Sequence, residues 1–143
     1  MDATTSESTD ATSPPDWFNH AIGGAFTGER QTVDGALINI LRWAGPSSDA
    51  PGLILIHGGG AHARWWQFVA PWLTDKYHVA AFDLSGMGDS EHRDHYSIEQ
   101  WAREAEAVRA HCRFSETIIV GHSLGGFITM CYAAERGERG RVD

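Results

Sequence analysis

Apolar and polar positions change period several times along this 143-residue chain, and each change marks an element. Residues 28–35 and 36–43 flank Asp34-Gly35, a pair suited to the positive φ angles of a two-residue turn, and predict an antiparallel hairpin. Pro46 to Pro51 reads as a loop. Leu53 to Ile56 is short and continuously apolar, as a strand covered on both faces must be, and His78 to Phe82 repeats that pattern. Between them, Trp65 to Thr74 predicts a short helix interrupted at Pro71. Ile98, Trp101, Ala105, Val108 and Cys112 recur on one face of a longer helix. Ser97 with Gln100 forms its capping box, and Tyr96 is placed to staple onto Trp101. A β-branched run, Thr117 to Val120, predicts a further buried strand, and an apolar helical pattern follows from Phe127 to Tyr132. Strands alternating with helices imply a parallel sheet, whose ligands collect at the carboxyl ends of its strands. The expected class is α/β: a mostly parallel sheet flanked by helices, with an N-terminal antiparallel hairpin.

Between the last strand and the last helix stands Gly121-His122-Ser123-Leu124-Gly125. A buried strand turning sharply into a helix needs glycines beside the turning residue, where side chains would collide with strand and helix. Such a turn lifts the Ser123 hydroxyl clear of the sheet and aims the Leu124 N–H at the same space. Nucleophile and oxyanion donor then come from one turn. His122 precedes the serine, and its side chain is expected to turn away from the attacking face.

Together with two further motifs, this elbow resembles the α/β-hydrolase fold superfamily of serine hydrolases. Gly52 to Gly60, ending His57-Gly58-Gly59-Gly60, is similar to that family's third strand and oxyanion loop. Val79 to Ser90, containing Asp83-Leu84-Ser85-Gly86-Met87-Gly88-Asp89-Ser90, is similar to its fourth strand and following turn. The resemblance implies that Ser123 is the nucleophile, with the N–H groups of Leu124 and Gly59 as oxyanion donors, each typically worth ~3 kcal/mol in the transition state. Gly58 or Gly60 is the alternative to Gly59 as donor, and Gly58, Gly60, Trp65 and His122 would line the substrate pocket. Trp66 is as well explained by packing on the sheet. His57 and Asp83 are expected to fix loops by bonding backbone groups rather than to act chemically.

In this family the catalytic acid and then the histidine follow the serine along the chain. After Ser123 this sequence has no histidine, and its later carboxylates, Glu135, Glu138 and Asp143, are expected to face solvent. Residues 140–143 read as the start of another strand. The expectation is an incomplete α/β-hydrolase: residues 17–143 as the N-terminal part of the domain, lacking lid, acid and histidine, and inactive alone. Acyl-enzyme chemistry on a small carbonyl substrate, such as an ester or lactone, is the implied activity of the whole protein. A serine at the elbow argues against the branches that use a carboxylate nucleophile. A non-catalytic receptor or scaffold on the same fold is the alternative, and a complementing C-terminal fragment or self-association through an open sheet edge is the expected partnership.

The net charge of −8 adds little once located, because residues 1–16 hold four acids and no base. That stretch reads as a disordered acidic tail. It lacks the basic and apolar regions of a secretory signal, no run approaches the ~18 apolar residues of a membrane span, and arginines form no stripe. A cytoplasmic protein that engages neither membrane nor nucleic acid is expected. Cys112 and Cys131 read as small hydrophobes. His57 with His62 and His92 with His95 lack the further ligands of a metal site, and no cofactor fingerprint is present: no Gly-Lys-Ser/Thr follows the glycine loop, and Gly86-Met87-Gly88 lacks a third glycine.

Overall fold

The computed structural model describes residues 13–114 and 116–138, apart from the side chain of Glu138. Most of the acidic tail and residues 140–143 lie outside the described residues. The first element, α1 (Asp16–Ile22), takes in Asp16, which the sequence pattern assigns to the tail. Pro15 occupies its N-cap, and the Pro15 carbonyl accepts from the Phe18 and Asn19 N–H groups.

Strands β1 (Thr27–Val33) and β2 (Ala36–Trp43) form the hairpin, with Asp34 and Gly35 at φ +45° and +83°. These are the mirror-image turn angles that match strand twist. The next strands are β3 (Gly52–Ile56), β4 (His78–Phe82) and β5 (Thr117–Gly121). The sheet order is β1-β2-β4-β3-β5. The β1–β2 and β2–β4 pairs are antiparallel, whereas β3 pairs in parallel with β4 and with β5, so the described sheet is mixed.

Period-two alternation sorts the strand residues between two cores. Ile38, Ile40, Ile54, Ile56, Ala80 and Phe82 face one side, where α3 (Ile98–Cys112) and α4 (Leu124–Glu138) cover them through Ala102, Ala105, Val108 and Ile128. Leu41, Trp43, Leu53, Leu55, Val79 and Ala81 face the other, packed with Ala63, Trp66 and Ala70. The helix predicted over 65–74 is split on that side into a 3₁₀ turn (Ala63–Trp66) and a single turn, α2 (Ala70–Leu73). Pro71 lies in the first turn of α2, where its missing N–H costs nothing, and so starts the second piece rather than kinking one helix.

The α3 terminus carries half of its expected capping box. Ser97 Oγ accepts from the Gln100 N–H at 3.1 Å, and Tyr96 stacks on Trp101 with ring centroids 5.8 Å apart. The Gln100 side chain turns instead to the hairpin, donating to Asp34 Oδ2 at 3.1 Å. At the sheet's edge, β5 is only half covered: Ile119 packs into the first core, but Ile118 and Val120 are 47% and 43% exposed. The buried strand expected there is buried on one face. No described helix is long and apolar enough to cross a membrane.

Candidate functional site

The carboxyl ends of β3, β4 and β5 converge, and the three sequence motifs meet there. Parallel pairing sets Ile56 beside Gly121 and beside Phe82, so His57, His122 and Asp83 follow at one level.

At the end of β3, His57 is fully buried and both ring nitrogens are engaged. Nε2 accepts from the Leu84 N–H at 3.1 Å. The ring proton therefore sits on Nδ1, which donates to the Gly58 carbonyl at 2.7 Å. Burial pushes the His57 pKa below its ordinary value, keeping the ring neutral as this pairing requires. Beyond it, Gly58 is buried while Gly59 and Gly60 are exposed, Gly60 at φ +71°.

At the end of β4, the buried Asp83 gathers three other segments. Its Oδ1 accepts from the Ala63 N–H at 2.6 Å, and its Oδ2 accepts from the Asp89 N–H and the Asn39 side chain, each at 2.9 Å. Ser90 Oγ donates to the Asp83 carbonyl at 2.7 Å and accepts from the Asn39 N–H at 2.9 Å. His57 and Asp83 thus bond backbone groups, as the residue pattern implies. Ser90, the last residue of the Asp83–Ser90 motif, and Asn39, which the sequence does not single out, complete the cluster.

The elbow joins β5 to α4. Ser123 has φ +52°, a left-handed angle that a side chain occupies only against strain. Its neighbours explain why the turn can be so tight. A Cβ on Gly121 would lie 2.0 Å from the Gly125 carbonyl oxygen, and one on Gly125 would lie 2.3 Å from the Ile56 carbonyl oxygen. The His122 N–H continues the ladder to Ile56 O at 3.0 Å, and α4 begins with Gly125 N–H to His122 O and Gly126 N–H to Ser123 O, both 2.8 Å. Among the described residues, no acceptor takes the N–H of Leu124 or of Gly59, and no partner takes the Ser123 hydroxyl.

The glycine loop lies directly against this turn. A Cβ on Gly58 would stand 3.0 Å from His122 Nδ1 and 3.4 Å from Ser123 Cβ, and one on Gly59 would meet Leu124 Cδ2 at 3.7 Å. Gly58, Gly59, Ser123 and Leu124 are therefore one cluster, while nothing lies within 4 Å of a Cβ on Gly60. Trp65 is 48% exposed and meets the His122 ring edge-on at 5.2 Å. Trp66 divides its contacts: it packs on the second core and also borders a cavity of about 160 Å³ with Trp65, Phe68 and His122.

A charged tie behind the site was not visible in the sequence pattern. Glu104, fully buried on α3, accepts from the Ser85 N–H through Oε2 and from Arg93 Nε through Oε1, each at 3.0 Å. Arg93 reaches on to the Asp34 and Val33 carbonyls at 2.8 and 2.7 Å. The available signal was an acid three residues after Trp101 and four before Val108, on the apolar face of the helix. Glu135, expected to face solvent, is half-buried near Cys131. Burial pushes the Cys112 thiol up to about 11, which leaves it unreactive. No three His, Cys, Asp or Glu side chains among the described residues stand together as metal ligands.

Comparison with known proteins agrees with this geometry. A family model described as "alpha/beta hydrolase fold" matches residues 51–142. Over 111 residues the chain is 31% identical to an uncharacterized hydrolase, YugF, of Bacillus subtilis, covering 76% of this chain and 40% of that protein. It is 37% identical over 99 residues to the proline iminopeptidase PfmaB of Pestalotiopsis fici, covering 64% of this chain and 34% of the relative. Among solved structures, a bacterial membrane phospholipase A superposes with TM-score 0.72 at 33% identity, over 85% of this chain and 38% of that one. The chain thus spans 40% or less of the length of these relatives. Matched over residues 51–142, which hold the glycine loop and the serine turn, the chain belongs to the α/β-hydrolase fold family.

Proposed function

We propose that this chain carries the nucleophilic half of a serine hydrolase. Ser123 attacks a carbonyl carbon, its hydroxyl proton passes to a base, and the resulting oxyanion is held by the N–H groups of Leu124 and Gly59. Collapse of the tetrahedral intermediate expels the leaving group, and water then releases the acyl group from Ser123. The observation that carries this reading is the φ of +52° at Ser123, held between two glycines that leave no room for a Cβ. Strain at a solvent-exposed serine has no structural use, since glycine would take the angle freely. The relatives act on different bonds by name, an iminopeptidase and a phospholipase among them, so the reaction class is supported and a substrate is not inherited.

The base is the weak point of the chain taken alone. His57 has both nitrogens committed, and the His122 ring lies against Trp65. No histidine follows Ser123 in the sequence. Removing the base of a serine protease triad costs about six orders of magnitude in kcat, and turnover by these 143 residues alone is accordingly negligible.

Labelling with a fluorophosphonate tests the nucleophile independently of turnover. The wild-type chain should label slowly and Ser123→Ala not at all. Equal labelling of the two would remove Ser123 from its assigned role. No labelling of folded wild-type protein would favour a receptor or scaffold built on the same fold.

A further inference from the structure

Three cavities among the described residues differ in size and in what they offer a ligand. The groove of about 320 Å³ between α3, α4 and the hairpin turn is lined by Arg103, Glu106 and Arg136, whose charges are paired to Asp34 or to one another. The one of about 470 Å³ near Arg42, His78 and Arg113 lies at the opposite, amino-terminal ends of β3 and β4. The third, about 160 Å³, is walled by Trp65, Trp66, Phe68 and His122 and stands beside the elbow.

Resting on the reading of Ser123 as nucleophile, we propose that this third cavity is a subsite for one unsubstituted aromatic ring, so that the substrates are carbonyl compounds bearing a phenyl-sized hydrocarbon group. Size is the first ground. An apolar space of ~150 Å³ is enough to hold benzene, and this half-open cleft offers about 160 Å³. Lining is the second. Three aromatic side chains and an imidazole surround the space, and the walls are almost wholly apolar. Rings favour offset and edge-on contact with other rings, an energy that a branched alkyl group of equal volume lacks. The lining presents almost no polar surface, so a polar substituent there would lose its water with little to replace it. Position is the third. His122 is the residue before Ser123, and a Cβ added at Gly58 would meet both.

The test uses the full chain and benzene as probe, followed by the indole N–H signals of Trp65 and Trp66 in ¹H–¹⁵N spectra. Benzene should shift both signals saturably in wild type and equally in Ser123→Ala. Benzoate should bind at least tenfold more weakly. Trp65→Ala, at a half-exposed position, should weaken benzene at least tenfold, read at the Trp66 signal, and Trp65→Phe should restore most of it. In parallel, phenylmethanesulfonyl fluoride should label Ser123 at least tenfold faster than methanesulfonyl fluoride, with the preference lost in Trp65→Ala. Absent or unsaturable benzene shifts, benzoate binding as tight as benzene, or indifference to Trp65→Ala would each overturn the subsite. If benzene binds as expected but neither sulfonyl fluoride labels the protein, the subsite stands and the nucleophile assignment falls.

Discussion

Strain at a single serine and neutrality at a single histidine set the local character of this site. Ser123 holds a left-handed angle that costs a side-chain-bearing residue about 1–2 kcal/mol. Ser123→Gly should therefore raise stability by about 0.5–1 kcal/mol, after the added flexibility of the unfolded chain is subtracted, while abolishing labelling. Ser123→Ala keeps the strain and should leave the denaturation midpoint nearly unchanged. His57 makes the complementary prediction through pH. Its pKa is lowered in the folded protein by burial, so as pH falls below about 6.5 the unfolded chain takes up a proton before the folded one does. Its contribution to stability is fully present above 6.5 and is lost as pH falls toward the lowered folded value. Denaturation between pH 7 and 5 should show that slope in wild type and a shallower one in His57→Gln. Both residues were legible in sequence because a glycine-flanked serine and a histidine before glycines have meaning at fixed local spacing. Asn39 was not, since its partners Asp83 and Ser90 lie 44 or more positions away.

Among the elements, α3 shows what periodicity hides. The pattern places its N-cap, its staple and its apolar face, but it passes over Glu104. The residue is fully buried, with both oxygens engaged by Ser85 and Arg93. Removing one partner of such a pair strands the other's charge and typically costs ~3–5 kcal/mol. Glu104→Ala should destabilise by about that amount in urea denaturation. Glu104→Gln should cost less, since it keeps an acceptor for the Ser85 N–H. A loss below 1 kcal/mol for Glu104→Ala would mean that the loop from Ser85 to Arg93 is held by other contacts. The helix expected across 65–74 fails for a different reason: a proline begins a helical turn as readily as it breaks one, and sequence alone does not say which. The helix α1 is missed because Pro14-Pro15-Asp16 continues the polar composition of the tail while serving as a helix start.

For the molecule as a whole, the sheet has one guarded and one open side. β1 is an edge strand of mixed polarity, whereas β5 presents Ile118 and Val120 and leads into α4, where Phe127 and Met130 are 65% and 69% exposed. We propose self-association through β5. Two copies meeting antiparallel about Ile119 would set Ile118 of each opposite Val120 of the other, a self-complementary match that a two-fold interface requires. Sedimentation should show mean mass rising with concentration for wild type, and a charged Val120→Lys edge should hold it near the monomer. Concentration-independent monomer in the wild type would contradict this. The sequence reading anticipates an open edge here but not the exposed face of β5, because a strand covered on one face and one covered on both share the same β-branched letters.

The elbow is clamped by backbone rather than by side chains. A Cβ at Gly121 would strike the Gly125 carbonyl and the Gly126 nitrogen, and one at Gly125 would strike the Ile56 and His57 carbonyls. Backbone cannot rotate aside as a side chain can, so the smallest substitution at either glycine must move a strand end or the start of α4, and the serine with it.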